Sequence, residues 1–354
     1  MPSAHCGGAE KVFLNLLQHL PRDSYNPCLV LIENEGTLVD KIPRDVHFIP
    51  LTRKRVSRSL GLLLRTIRSI NPDIVISSIF HLNIALLMLK FFFPSKTKVF
   101  VRESNLPSIL LHREKYTYLF KLLIRFYYPK SDSVICLGEE MKKDLIDHFH
   151  VPSQKITNIG NPVDLVQVQR LSKAHQNPFD RSKFNFLAVG SLTPQKGFDI
   201  LIDAVALISK QNLNIHLSIV GDGYLRNSLT DLIREKGLSQ FISLCGFKGN
   251  PYPYFYYADR FILSSRYEGL PNAVLESLAV GTPVIAFDNP GCVRDIITKK
   301  EQGVLVYPCT AENLARKMIQ ACRIGSCLKP ESLLPEKFLM DNVLHQYETL
   351  FTSV

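Results

Sequence analysis

The chain has 354 residues, of which 46% are hydrophobic and 21% are charged, and its net charge is +10. This length favours two domains over one, and this composition excludes extensive disorder. No run approaches the roughly 20 apolar residues that span a bilayer, and no signal peptide is evident, so neither a transmembrane helix nor secretion is predicted.

The N-terminal half opens with Gly7-Gly8-Ala9-Glu10, which leads directly into an amphipathic helix over residues 11–20. A Gly-Gly turn before a helix normally follows a central strand, but residues 1–6 are too few and too polar to form one. Short apolar runs predict strands near residues 28–32, 74–78, 99–102 and 133–137, with helices between them. The polar stretch 161–181 is predicted to link two domains.

The excess of positive charge lies mostly in this first half. Basic runs occur at residues 53–68 and 90–98, and a basic, aromatic stretch occurs at 116–128. Basic helices with bulky apolar faces are typical of proteins that bind an anionic membrane surface, although ordinary solvated helices give the same pattern. Nucleic acid is not predicted as a partner, because no known binding motif accompanies the charge.

The C-terminal half alternates regularly between short strands and helices. Strands are predicted at 184–191, 215–220, 241–246, 261–264, 283–287 and 304–306, and helices at 198–209, 224–236, 254–258, 272–280, 292–298 and 311–323. This alternation is typical of a parallel, doubly wound α/β sheet, whose ligands bind at the carboxyl ends of the strands. A last amphipathic helix is predicted at 337–351.

Two carboxylates eight positions apart flank a predicted strand-to-helix turn. Glu268 follows a buried strand, and Glu276 lies in the otherwise apolar helix 272–280, for which Pro271 is a candidate first helical position. The helix N-terminus between them offers N–H groups and a positive dipole, as phosphate sites do. The alternative interpretation is a buried Glu276 that a backbone N–H satisfies, together with a solvated Glu268.

A lysine stands at the same predicted sheet edge. Gly190 ends a strand, and Lys196-Gly197 opens the next helix, which is the placement of a lysine that neutralises a diphosphate. An exposed loop lysine is the alternative. Neither a P-loop nor a GxGxxG fingerprint is present, so nucleoside triphosphatase and dehydrogenase functions are disfavoured.

The chain resembles the GT-B glycosyltransferases of family 4, and its nearest likeness is to the branch that builds lipopolysaccharide core, O-antigen and capsule. The fold this implies is α/β, with two doubly wound Rossmann-like domains facing across a cleft and the first strand of the N-terminal domain absent. The resemblance covers nearly the whole chain and rests on Gly7 to Glu10, Asn161-Pro162, Gly190, Lys196-Gly197, Gly221-Asp222-Gly223, Gly246-Phe247, Ser264 to Gly269, and Glu276.

The resulting domain prediction has three parts. Residues 1–163 form an N-terminal acceptor-side domain, residues 164–335 form the nucleotide-sugar domain, and residues 336–354 form a C-terminal helix that packs back on the N-terminal domain.

The resemblance also implies a role for each matching residue. Glu268 and Lys196 would be catalytic, with Glu268 on hydroxyls of the donor sugar and Lys196 on its diphosphate. Glu276 would bind the ribose hydroxyls. The remaining donor-side residues would be Gly8, Gly246, Phe247, Gly269, Leu270, Pro271 and Asn272, and the acceptor-side residues would be Gly7, His81, Arg102, Ser104 and Asn105.

The implied reaction is retaining transfer from a UDP- or GDP-sugar to a lipid-linked or lipopolysaccharide acceptor, without a cofactor or a metal ion. The protein would be cytoplasmic and peripheral at the inner face of the plasma membrane. Eight cysteines without a CxxC pair or zinc spacing are also typical of a reduced, cytoplasmic protein.

Three departures from the family pattern bear on activity. Ser191 stands where many relatives carry an arginine that binds the diphosphate. Either donor affinity would therefore fall, or Arg266 would bind the diphosphate instead. Ser104 stands where relatives often carry a histidine. The missing first strand suggests a start codon assigned too far downstream or a truncated gene, and it keeps open an inactive, glycosyltransferase-like binding partner. A nucleotide-sugar epimerase is disfavoured, because its acid and histidine set has no counterpart in the sequence.

Overall fold

The computed structural model describes residues 1, 7–33, 35–36, 38–53, 56–112, 114–325 and 331–353. The chain divides into two compact units. The first contains residues 1–162 and 340–354, and the second contains residues 163–339. The chain therefore returns to the first unit after Leu339, whereas the sequence analysis ends the second domain at residue 335.

The first unit consists of parallel strands with helices between them. Strands β1 and β2 form one sheet, and a second sheet has the order β3-β4-β5-β6. The strands are β1 Cys28–Leu31, β2 His47–Pro50, β3 Ile74–Ser78, β4 Lys98–Arg102, β5 Ser133–Cys136 and β6 Ile156–Asn158. The helices are α1 Gly8–His19, α2 Val56–Ile70, α3 Phe80–Leu89, α4 Pro107–Leu111, α5 Thr117–Tyr127 and α6 Glu139–Phe149.

Strands β2 and β6 were not predicted from the sequence. Both are short, and β2 has no fully buried residue, so neither carries the apolar pattern on which a strand prediction depends. The predicted absence of a strand before Gly7 concerns residues 2–6, which lie outside the described residues.

The C-terminal helix, α13 Met340–Thr352, belongs to the first unit. Its side chains at every third or fourth position, among them Val343 and Tyr347, are fully buried. They share one core cluster with Val12 of α1 and Phe100 of β4. Within the described residues, no helix of either unit is both long and apolar enough to cross a bilayer.

The second unit is a single parallel sheet of order β12-β11-β10-β7-β8-β9. The chain starts in the middle at β7, runs outward to β9, then returns to β10 on the other side of β7. The strands are β7 Phe184–Val189, β8 Ile215–Val220, β9 Ile242–Gly246, β10 Arg260–Leu263, β11 Val284–Phe287 and β12 Gly303–Val306, and the helices are α7 Leu165–Ser172, α8 Phe198–Ile208, α9 Arg226–Glu235, α10 Tyr252–Tyr257, α11 Asn272–Ala279 and α12 Ala311–Ile324.

Two sequence predictions in this unit were wrong. The stretch 161–181 is not simply a link, because helix α7 lies inside it, with Asp164 accepting a hydrogen bond from the Gln167 backbone as its N-cap. The helix predicted at 292–298 is only a 3-10 turn over Cys292–Asp295. The parallel α/β architecture itself is confirmed in both units.

Short 3-10 helices complete the described secondary structure. They are Val39–Lys41, Lys90–Phe92, Tyr128–Lys130 and Ser153–Lys155 in the first unit, and Pro194–Lys196, Ser209–Gln211, Cys292–Asp295 and Glu336–Phe338 in the second.

Candidate active site

The loops that follow β7 and β10 meet at the carboxyl edge of the second sheet, because these two strands are neighbours although they are far apart in sequence. The Arg266 backbone N–H donates to the Gln195 carbonyl over 2.7 Å, and the Gln195 side chain returns a bond to the Tyr267 carbonyl. The Ser264 hydroxyl donates to the carbonyl of Lys196. Backbone contacts thus fix one loop against the other.

Gly197 makes this contact possible. Its φ is +60°, a conformation that side chains disfavour, and a Cβ there would overlap the carbonyl oxygen of Ser264. The glycine ends the 3-10 turn Pro194–Lys196 and caps α8. Position 197 therefore determines where Lys196 stands.

The two residues predicted to be catalytic are in direct contact. Lys196 Nζ lies 2.6 Å from Glu268 Oε1, and the Ser265 hydroxyl donates to the same oxygen over 2.7 Å. Glu268 is 6% exposed. A carboxylate at such depth is costly unless it is paired and hydrogen-bonded, and here it is both.

The main chain around Glu268 is held from the other side by the loop after β11. The Glu268 N–H donates to the Pro290 carbonyl, and the Cys292 N–H donates to the Gly269 carbonyl. Gly291 has φ +138° and a Cβ there would overlap the Glu268 carbonyl, so that glycine too is required by close approach. Three loops therefore converge on this one carboxylate.

Helix α11 begins beside the ion pair, at Asn272. Pro271 precedes the helix as its cap residue and is not its first helical residue, which corrects the sequence prediction. The cap residue Pro271 makes no side-chain capping bond, and the dipole of the helix gives this N-terminus a partial positive charge. Leu270 is buried and Asn272 is partly exposed in the same segment.

Glu276 lies one turn into α11 and is partly exposed. The alternative interpretation from sequence made Glu276 the buried carboxylate and Glu268 the solvated one. The structure reverses the burial in this interpretation, because Glu268 is buried and paired while Glu276 is partly exposed. Accessibility is the property that a ribose-binding carboxylate needs.

The ends of β8 and β9 extend the same edge. A Cβ at Gly221 would overlap the carbonyl oxygen of Gly190, and the Gly221 N–H donates to the Gly246 carbonyl over 2.9 Å. Phe247 follows as an exposed aromatic side chain. Gly190, Gly246 and Phe247 thus lie along one line of loops, and the donor-side roles of Gly246 and Phe247 stay predictions.

Sequence analysis missed one cation at this edge. Arg226, the first residue of α9, donates to the Leu244 carbonyl and lies 3.9 Å from Asp222. The available signal was its position three residues after the Gly-Asp-Gly turn. Arg266, by contrast, is already engaged, because its guanidinium binds Asp199 through both terminal nitrogens and also donates to the Pro194 carbonyl.

The predicted acceptor-side residues lie in the first unit. Gly7 caps α1 and Gly8 is its exposed first residue. His81, in the first turn of α3, stacks against Phe80 and Phe120. Burial lowers the pKa of His81, an effect that Glu114 at 3.9 Å opposes, so the ring is favoured as neutral imidazole.

Arg102 is buried, and its guanidinium is used inside the unit. Nη2 donates to Asn161 Oδ1 over 2.5 Å and Nη1 lies 3.4 Å from the Ser78 hydroxyl. Of the next residues, Ser104 and Asn105 are partly exposed, and Asn105 Oδ1 accepts from the Leu106 N–H. Of these three predicted acceptor-side residues, Arg102 is therefore an internal cation, whereas Ser104 and Asn105 are accessible polar residues.

Glu103, between them, is a second residue that sequence analysis overlooked. It is 1% exposed and accepts hydrogen bonds from Asn83 Nδ2, over 2.9 Å, and from the Tyr128 hydroxyl. Burial raises the pKa of Glu103 to about 7, and these two bonds only partly oppose that shift. The sequence feature that could have drawn attention to Glu103 is its position directly after the apolar strand β4.

Two family models match successive parts of the chain. The model described as Glycosyltransferase Family 4 matches residues 6–167, and the model described as Glycosyl transferases group 1 matches residues 169–329. The chain belongs to the group 1, family 4 glycosyltransferases. The predicted family is thus confirmed.

Similar proteins support the same assignment. This glycosyltransferase is 31% identical to an uncharacterized glycosyltransferase of Methanocaldococcus jannaschii over 66% of its own length and 60% of that protein. It is 28% identical, over 85% of its length and 82% of the relative, to the N-acetylgalactosamine-N,N'-diacetylbacillosaminyl-diphospho-undecaprenol 4-alpha-N-acetylgalactosaminyltransferase of Campylobacter jejuni.

The fold agrees as well. The crystal structure of HepE from Anabaena in complex with UDP-glucose has a TM-score of 0.82 at 18% sequence identity, over 100% of this chain and 98% of that one. The predicted GT-B fold is confirmed by this likeness.

Proposed function

We propose that this glycosyltransferase moves a sugar, with retention, from a UDP- or GDP-sugar to a lipid-linked or lipopolysaccharide-type acceptor in bacterial surface glycan synthesis. The observation that carries the proposal is the contact of Lys196 with Glu268 close to the N-terminus of α11. A cation, a helix dipole and a carboxylate at one sheet edge suit a ligand in which a diphosphate adjoins a sugar.

The electrostatics of this edge favour a diphosphate leaving group. Lys196 supplies a full positive charge, and the N-terminus of α11 supplies roughly half a charge through its dipole. Both are fixed before substrate arrives, so that stabilising the charge which develops on the leaving phosphate needs little reorganisation. We propose that these groups act without a metal ion.

The proposed reaction exchanges one glycosidic bond for another on the same face of the sugar. The bond from C1 to the leaving phosphate oxygen breaks as the bond from C1 to the acceptor oxygen forms. The acceptor's proton passes to the leaving phosphate. Glu268 would hold sugar hydroxyls and Glu276 the ribose hydroxyls, so neither carboxylate serves as a covalent nucleophile or as a general acid.

The name of the Campylobacter relative supports a lipid-linked acceptor, since it specifies a diphospho-undecaprenol-linked sugar. A polyisoprenoid acceptor resides in a membrane. We therefore propose that the protein works in the cytoplasm, peripherally at the inner face of the plasma membrane.

The test is a donor screen with the full-length protein. UDP- and GDP-sugars are incubated with diphospho-undecaprenol-linked acceptors, nucleotide release is measured, and the anomeric configuration of the product is read by NMR. We expect a product with the donor's anomeric configuration and turnover that persists in EDTA. An inverted product would refute retention, and turnover lost in EDTA and restored by a divalent cation would refute metal independence.

The Glu276→Ala variant tests the site. We expect the KM for the donor to rise at least tenfold, which corresponds to about 1.4 kcal/mol or more for a lost charged hydrogen bond. Glu235→Ala, at the far end of α9, is the matched control. Unchanged kinetics in Glu276→Ala would show that the site is assigned wrongly. Nucleotide binding with no transfer to any acceptor would instead indicate an inactive binding partner.

A further inference from the structure

Helix α5 is apolar on two opposite faces. Ile124 is fully buried, and Phe120 packs edge-on against Phe80 of α3, so this face belongs to the core of the first unit. At about 100° per residue, four other large apolar residues point between about 120° and 220° away from Ile124. All four are exposed, up to 75% for Tyr118, and they are Tyr118, Leu119, Leu122 and Phe126.

The segment that ends α3 carries three further exposed apolar side chains. Met88, Phe91 and Phe92 are exposed there, Phe91 to 91%. Lys90 Nζ donates to the Lys130 carbonyl over 2.9 Å, which places this segment against the end of α5. The seven exposed residues are called the aromatic patch below, and they are Met88, Phe91, Phe92, Tyr118, Leu119, Leu122 and Phe126.

Cations surround the aromatic patch. Residues 115–131 contain Lys115, Lys121, Arg125 and Lys130 and no acidic residue. Lys121 and Arg125 lie on one flank of the outward face, and Lys130 Nζ lies 3.5 Å from the centre of the Phe126 ring. Arg68 Nε donates to the Phe92 carbonyl, so a further cation from α2 borders the patch.

We propose that the aromatic patch binds the surface of an anionic bilayer, with the aromatic and aliphatic side chains inserted between headgroups and the flanking lysines and arginines on the lipid phosphates. Rings at the headgroup level and long cationic side chains at the rim are the pattern that bilayer interfaces favour. This inference rests on the proposed function, because a lipid-linked acceptor would lie at that surface.

A second copy of the chain fits the aromatic patch less well. A symmetric dimer through the patch would bring its cationic rim against the identical rim of the partner copy. Like charges across an interface oppose association, whereas phospholipid phosphates complement them.

The sequence contains no tryptophan, which provides a direct probe. Phe126→Trp in the full-length protein creates a single tryptophan within the patch, and Val166→Trp places one on the exposed surface of α7 as the matched control. With vesicles that contain phosphatidylglycerol, we expect the indole emission of the Phe126→Trp variant to shift to the blue and to be quenched by brominated acyl chains. The emission of the Val166→Trp variant should change in neither respect.

Vesicle sedimentation separates the two contributions to binding. We expect Leu122→Ser/Phe126→Ser to reduce partitioning about 30-fold at any salt concentration, because apolar insertion is lost. Lys121→Gln/Arg125→Gln should reduce it about tenfold, only for anionic vesicles and only at low salt. Val166→Ser/Ile324→Ser, which removes exposed apolar side chains elsewhere, should bind like wild type.

Three results would overturn the inference. The first is wild-type protein that fails to bind anionic vesicles, and the second is equal binding by the Leu122→Ser/Phe126→Ser variant. The third is a concentration-dependent dimer that the same variant abolishes, since that would assign the patch to a second copy. Vesicle binding is measured without donor and does not depend on turnover. Wild-type protein that transfers sugar to a short-chain, water-soluble acceptor but binds no vesicles would refute only the patch, whereas vesicle binding without transfer would refute only the proposed function.

Discussion

The carboxyl edge of the sheet in the second unit and that of the sheet β3-β4-β5-β6 in the first unit use their charged residues in opposite ways. In the second unit Lys196, Glu268 and the start of α11 lie together at the edge, fixed by loops that only glycine permits at positions 197 and 291. In the first unit Arg102 and Glu103 point into the protein, where they bind Asn161, Asn83 and Tyr128. Ser104 and Asn105, which follow them in the chain, are neutral and partly exposed.

This difference suggests how the two edges meet different chemical demands. A nucleotide diphosphate presents the same charges whatever sugar it carries, so a rigid, charged seat suits it. Acceptors vary among relatives. Where the ionisable residues of an edge bind neighbouring residues of the same unit, its exposed residues can be substituted without a change in the fold of its loops. The predictions below test whether the second edge is a preorganised anion site and whether the charges of the first edge are structural.

Replacing Lys196 should produce the largest effect. Lys196→Met removes the cation from the diphosphate, and we expect kcat/KM to fall about 10³-fold, or about 4 kcal/mol of transition-state stabilisation. Lys210→Met, at an exposed position after α8, is the matched control and should retain full activity. Steady-state kinetics with the preferred donor measures both. Comparable activity in the two variants would mean that the edge is not an anion site.

Replacing Gly197 tests whether the structure of that edge depends on the close backbone contact at this position. Gly197→Ala should lower the free energy of unfolding by about 4 kcal/mol, because the new Cβ is strained and overlaps the Ser264 carbonyl. Gly237 also has positive φ, +67°, but a Cβ there meets nothing within 4 Å, so Gly237→Ala should cost only about 1 kcal/mol. Urea denaturation gives both values. Equal losses would show that the loop contact is not tight.

Glu103 tests the structural role of the first edge through pH. Its folded pKa of about 7 exceeds its ordinary value of 4.5, so its contribution to stability is complete below pH 4.5 and is lost as pH rises through 7. Relative to Glu103→Gln, which cannot ionise, wild type should lose about 3 kcal/mol of unfolding free energy across this interval. Urea denaturation at a series of pH values measures it. Parallel profiles would contradict a neutral, buried Glu103.

Ser191 offers the smallest effect, and a gain. Ser191→Arg introduces the arginine that the family resemblance implies at this position, and we expect the KM for the donor to fall about tenfold through a charge-assisted phosphate contact. Ser191→Met has a long side chain without the charge and should leave the KM unchanged. A similar fall in both variants would show that packing, and not charge, improves binding.

Sequence analysis predicted most of the second unit because its signals are local. Apolar strands, the glycines after them, and Lys196 and Glu268 at their ends are all visible without tertiary information. Three features of the site were not visible in this way, because each depends on a partner distant in sequence. They are the burial of Glu268, the ion pair of Arg266 with Asp199 and the position of Arg226. The buried cluster of Glu103 with Asn83 and Tyr128 was missed for the same reason.

The ion pair of Lys196 with Glu268 also bears on selectivity among anions. Any anion that reaches Lys196 must compete with a carboxylate 2.6 Å away, so inorganic phosphate or a free nucleotide monophosphate gains little from the lysine alone. A nucleotide sugar can compensate, because its hydroxyls donate to Glu268 while its diphosphate binds Lys196. The same contact would therefore reject abundant small anions and admit only a molecule that satisfies both partners at once.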